Sequence, residues 1–187
     1  MYKRQVQKLD KFLTSGVKEI AKVSITDSGI YALAFSPDGK QIVSADGENQ
    51  LKIWDSSTGE ELATRLAHSA AVSSVAFSPD GKTLIAGGAD HRIRVWAISD
   101  SAAEGTNTLR HSRFAHEGII LHLAWSPNGN TLLSTPSKQT AKLWDAQAII
   151  TLRSLQTLTD WPTAALLTDT LAYITQRNGQ LKHFRVK

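Results

Sequence analysis

The apolar residues of this chain fall in short bursts that alternate with polar or small residues. VSSVAFS (72–78) and LHLAWS (121–126) carry a β-branched, leucine or aromatic side chain at about every other position and then run into a turn. In RIRVW (92–96), Ile93 and Val95 point to one face while Arg92 and Arg94 point to the other, the period of an extended strand. TLIAGG (83–88) reads as a further short strand. The bursts are separated by SPDG at 36–39 and 78–81 and by SPNG at 126–129. Proline presets φ in these segments and glycine accepts a positive φ, as a tight hairpin turn requires. No segment carries an apolar face at helical spacing over a useful length, so the pattern predicts an all-β chain of antiparallel hairpins.

The bursts form a repeat. Residues 33–55 return as 75–97 and again as 123–145, with Trp54, Trp96 and Trp144 closing each copy at intervals of 42 and 48. The six extra residues fall in SDSAAEGTNTLRHS (99–112), a polar, glycine-containing stretch that reads as a lengthened surface loop. A period near 42 with a W-D ending resembles the WD-repeat β-propeller family. The resemblance implies four-stranded antiparallel blades, one per repeat, arranged here as about four blades in an open arc.

Extending the register outward gives the organisation expected of the chain. Repeat 1 spans 25–66, repeat 2 spans 67–114 with its loop at 99–112, repeat 3 spans 115–157, and a degenerate, incomplete repeat 4 spans 158–187. Residues 6–24 read as the remnant of a preceding blade, because EIAKVSIT stands one period before EELATRLAH. Residues 1–5, MYKRQ, have no place in the repeat and resemble the translation of a sequencing-adapter end. They are read as a non-native start, and the chain is expected to be a fragment of a larger bacterial protein.

The resemblance also implies a buried hydrogen-bonded set in each blade: a first-loop His, a second-strand Ser or Thr, an Asp before the third strand, and the terminal Trp. Repeat 2 keeps His68, Asp90 and Trp96 but has Ala86 at the hydroxyl position. Repeat 3 keeps His116, Ser134 and Trp144 with Lys138 at the carboxylate position, and repeat 1 keeps Ser44 and Trp54 with Thr26 for His and Glu48 for Asp. Because these groups recur in phase with the repeat, they are read as packing devices rather than catalytic residues.

Composition narrows the function classes. The chain has no Cys, which removes disulfides, thiolate metal sites and cysteine nucleophiles. The remaining histidines have no metal-binding spacing, and AGG at 86–88 falls far short of a phosphate-binding loop. No metal and no cofactor are therefore expected. Lys plus Arg number 21 against 17 Asp plus Glu, a mild excess spread along the chain, so no nucleic-acid partner is expected. No apolar run approaches the ~18 residues of a membrane span. Three of the five Trp close repeats and Trp125 occupies the place of Phe35 and Phe77, leaving Trp161, read as filler of the degenerate blade's core.

The function that the resemblance implies is a non-enzymatic protein–protein interaction scaffold. Its partner-binding face would be built from the loops before each first strand (Asp27, Ser69, Ala71, Glu117, Ile119) and those between second and third strands (Glu48, Ala89, His91, Ser137, Gln139). Other expected partners are the missing blades of the parent protein or a second copy of the chain. The alternative is a propeller segment of a multidomain bacterial protein whose enzymatic or haem-binding module lies outside this chain.

Overall fold

The computed structural model describes residues 29–66, 69–98, 108–137, 140–155 and 158–186, and every described element is a strand. Four antiparallel sheets follow one another along the chain. Sheet I holds β1 (Ile30–Phe35), β2 (Gln41–Asp46), β3 (Gln50–Asp55) and β4 (Glu61–Leu66). Sheet II holds β5 (Val72–Phe77), β6 (Thr83–Gly88), β7 (Arg92–Ala97) and β8 (Thr108–Phe114). Sheet III holds β9 (Ile120–Trp125), β10 (Thr131–Pro136), β11 (Ala141–Asp145) and β12 (Thr151–Leu155). Sheet IV has three described strands, β13 (Pro162–Leu167), β14 (Leu171–Gln176) and β15 (Leu181–Arg185). Strands pair in sequence order inside each sheet, and consecutive sheets pack flank to flank, giving an open arc of propeller blades.

The first hairpins of sheets I to III are held by a serine and the side-chain oxygen two residues on. Ser36 Oγ donates to Asp38 Oδ1 at 2.6 Å, the Lys40 amide donates to the same oxygen at 3.0 Å, and the Gln41 amide donates to Ser36 Oγ at 2.9 Å. Ser78 and Asp80 repeat this arrangement, and Asn128 supplies the equivalent oxygen to Ser126. The hydroxyl and amide donors stabilise the ionised carboxyl and hold both Asp38 and Asp80 below the usual carboxylate range. Sheet IV manages with a turn two residues shorter, in which Thr168 takes the serine's place and its Oγ1 accepts from the Leu171 amide at 2.9 Å.

Three apolar layers lie between neighbouring sheets. Val43, Ala45, Leu51 and Ile53 of sheet I meet Val72, Val75, Phe77, Leu84 and Trp96 of sheet II. Ile85, Ile93 and Val95 then meet Ile120, Leu123, Leu132 and Trp144 of sheet III, and Leu133, Ala141 and Leu143 meet Leu167, Ala172 and Ile174 of sheet IV. The same strand positions therefore make each layer: β2 and β3 of one blade face β1-type and β2-type strands of the next. Polar stitches run alongside, with Ser73 Oγ donating to the Ile120 carbonyl and the Leu123 amide donating to Ser74 Oγ at 2.9 Å.

Two expectations change. The long surface loop expected over 99–112 ends earlier, because Thr108–Phe114 form β8 and pair along β7. An outer strand is solvated on its free side, so TLRHSRF carries no alternation to betray it. Trp161 is 52% exposed rather than buried in the last blade. The expected remnant over 6–24, the start at 1–5, and Thr26, Asp27, His68, Lys138 and Gln139 lie outside the described residues.

Candidate functional site: buried blade networks and the loop face above them

In sheet III, Ser134 sits on β10 directly across from β9 and β11, and its hydroxyl joins two rings. The Trp144 indole N–H donates to Ser134 Oγ at 2.8 Å, and His116 Nε2 lies 2.6 Å from the same oxygen. His116 is 3% exposed and Ser134 fully buried. Burial, reinforced by the positive charge of Lys142 and by His91, pushes the His116 imidazole down to about 3. The ring is thus neutral at physiological pH. Lys142 donates to the Ala115 carbonyl at 2.6 Å and lies 5.6 Å from the centre of the Trp144 ring.

Sheet I carries the reduced form: the Trp54 indole N–H donates to Ser44 Oγ at 2.9 Å. Glu48, the residue in register with Asp90, is exposed at the turn. The buried carboxylate of this turn is Asp46, 1% exposed, whose Oδ1 accepts from the Glu48 amide at 3.0 Å and the Gln50 amide at 2.9 Å. Its Oδ2 is buried without a partner among the described residues. In sheet II, Asp90 accepts from the Ser69 amide at 3.2 Å, the Arg92 amide at 3.1 Å and Arg94 Nη1 at 2.5 Å. Ala86 and Trp96 of the same sheet are buried. These contacts tie loops to strands. Among the described residues no group of three or more His, Asp or Glu is arranged to hold a metal.

The loops that precede first strands and those that join second to third strands meet at one end of the arc. The Ala89 amide donates to the Ala71 carbonyl at 2.9 Å, Ser137 to Ile119 at 2.7 Å, and Arg177 to Trp161 at 2.9 Å. Ser69, Glu117 and Ile119 are exposed, while Ala71, Ala89, His91 and Ser137 are half-buried. His91 holds φ at 66°, the left-handed turn position that Asn49 and Gly179 occupy in sheets I and IV. Three large apolar side chains stand out on this end: Phe114 at 55% exposed, Ile119 at 38% and Trp161 at 52%. Trp161 stands in the place of Ile119, one blade on. The Arg177–Trp161 bond, which matches Ser137–Ile119, fixes this place, whereas the eroded repeat conceals the register in the sequence.

The family model "WD domain, G-beta repeat" matches residues 18–55, 59–97 and 107–145, more than half of the chain. The chain belongs to the WD-repeat family, as a partial open β-propeller. Solved structures agree in fold. The structure of U3-55K superposes with a TM-score of 0.78 at 21% identity, covering 87% of this chain and 50% of that one. The RRP9 WD40 repeats give 0.76 at 20% identity, covering 87% and 52%. The computationally designed Ika4 protein gives 0.78 at 26% identity, covering 91% of this chain and 99% of that one. The chain thus spans about half the length of the first two of these. No curated protein matches it.

Proposed function

We propose that the chain is a non-enzymatic protein–protein interaction scaffold whose partner docks on the loop face described above. WD repeats generally mediate protein–protein interaction, which supports the class. The observation that carries the face is the exposure of Phe114, Ile119 and Trp161 together at the end where the loops are bonded to one another. Aromatic and large aliphatic anchors held on a rigid support are what protein interfaces use for most of their affinity. Ser69, Ala71, Ala89, His91, Glu117 and Ser137 form the rim around them, with Asp27, Glu48 and Gln139 as the further positions of the same loops. The partner is a protein presenting an apolar patch, not a nucleic acid or a membrane.

The test is binding measured against stability. Partners captured from extracts of the source cells are titrated calorimetrically with the native chain, Trp161→Ala and Ile119→Glu. Each variant is expected to weaken binding at least about tenfold, a truncation loss of ~1.4 kcal/mol or more, with an unchanged melting temperature. Undiminished binding by both variants, or turnover of a substrate by the purified chain, would remove this reading.

A further inference from the structure

The turns at 36–39, 78–81 and 126–129 lie at the end of the blades opposite the loop face, because antiparallel strands put successive turns at alternate ends. At that end a cleft opens along each of two sheet junctions, about 560 Å³ between sheets I and II and about 660 Å³ between sheets II and III. Both are built from the same register positions. Each outer strand carries a bulge beside the tryptophan of its neighbour. In sheet I the extra residue is Leu62, which packs on the I–II core, followed by Ala63, 4% exposed. In sheet II the same two positions are Arg110 and His111, and both line the II–III cleft. Phe77 ends β5 in the I–II core, whereas Trp125 ends β9 in the wall of the II–III cleft. Three apolar positions at one junction are thus a guanidinium, an imidazole and an indole at the next.

Packing does not account for the exchange. Arg110 is exposed and makes no ion pair among the described residues. Trp125 Nε1 is shielded from water and meets no acceptor among them, a cost that an oxygen seated in the cleft would relieve. The charge changes as well. The I–II cleft is lined by Asp38, Asp55 and Asp80 with Lys40, whereas Asp80 is the one carboxylate among the residues lining the II–III cleft. Asp80 is turned onto its own hairpin, accepting from Ser78 Oγ at 2.6 Å and the Lys82 amide at 3.0 Å. Asn128 takes the turn position of Asp38 and Asp80. Its Oδ1 accepts from Ser126 Oγ at 2.8 Å and the Asn130 amide at 2.9 Å, which leaves its NH2 to donate. The II–III cleft is therefore rich in donors around an apolar floor at Val95, 2% exposed.

We propose that the II–III cleft binds an acidic segment of a partner protein. A side-chain carboxylate of that segment pairs with Arg110 and His111, a neighbouring main-chain carbonyl accepts from the Trp125 indole N–H, and an adjoining apolar side chain covers Val95. The volume falls within the ~300–1,000 Å³ of sites that enclose small ligands. The planar fork of arginine matches a carboxylate. A phosphate dianion would meet one guanidinium and the repulsion of Asp80, so the carboxylate is the better fit. The site lies at the opposite end of the blades from Phe114, Ile119 and Trp161 and does not depend on docking there.

The test is an NMR titration of the full chain with two blocked tripeptides, acetyl-Leu-Glu-Leu-amide and acetyl-Leu-Gln-Leu-amide, and with inorganic phosphate. The acidic peptide should shift the Trp125 indole N–H and the Arg110 and His111 amides together, saturating with a Kd on the order of 1 mM or tighter. The glutamine peptide and phosphate should each bind at least about tenfold more weakly. Arg110→Leu and Trp125→Phe install the residues of the I–II junction and should keep the native melting temperature. Arg110→Leu should weaken the acidic peptide at least about tenfold, and Trp125→Phe should weaken it as read at the Arg110 and His111 amides. Lys40→Leu removes one positive charge from the I–II cleft and should change nothing. Equal binding of the two peptides, undiminished binding by Arg110→Leu, or saturation by phosphate without response to the acidic peptide would overturn the site. So would the absence of a saturable shift at Trp125, or shifts confined to the loop face around Phe114, Ile119 and Trp161.

Discussion

The hydroxyl of Ser134 satisfies two buried rings at once, whereas Ser44 satisfies one, and the difference is measurable. Ser134→Ala leaves both the Trp144 indole and His116 without that partner, and is expected to cost about 2–4 kcal/mol, against about 1–2 for Ser44→Ala. Urea unfolding of the two variants checks the order. His116 adds a pH dependence whose sign follows from its depressed value. Between the ordinary histidine value of 6.5 and the folded value of about 3, the unfolded chain binds a proton that the folded chain refuses. Stability contributed by the neutral ring is therefore complete above pH ~6.5 and is lost as pH falls through that window. Burial lowers His122 as well and adds in the same direction. A His116→Gln variant should show a shallower loss of stability between pH 6.5 and pH 3 than the native chain in urea titrations at stepped pH. Equal slopes would mean that the ring is protonated in place.

At the scale of the element, blade junctions are set by paired sizes. Gly87 faces Ile120 across the sheet II–III junction, and an added Cβ would come within 2.7 Å of Ile120 Cγ2. Gly87→Ala should therefore destabilise by about 1–3 kcal/mol, and Ile120→Val should recover part of that loss. A double-mutant cycle in urea reads this coupling, and strict additivity would show that the two side chains do not share the space. The elements that the sequence makes legible are those with a reason to repeat. Trp54, Trp96 and Trp144 recur because sheets I to III each bury an indole, and Ser36, Ser78 and Ser126 because the first hairpins of those sheets share the serine–oxygen turn. Legibility fails where burial imposes nothing or where a neighbour changes the requirement. β8 is wetted on its outer side and reads as loop. Trp161 lies beside a turn that has shortened by two residues, so the phase that would have marked it is lost. Asp46 carries the buried carboxylate of its turn two positions before the one the register selects.

At the scale of the molecule, among the described residues sheets II and III are packed on both flanks, whereas sheets I and IV each bury one. An isolated arc would be weakest at its two ends, because terminal units of a repeat array lack one of the two neighbour contacts that stabilise each unit. Native-state hydrogen exchange of the chain should therefore protect the amides of β6 and β10, in sheets II and III, longest and release those of sheets I and IV first. Equal protection across all four sheets would show that sheets I and IV reach their stability without a second neighbour contact.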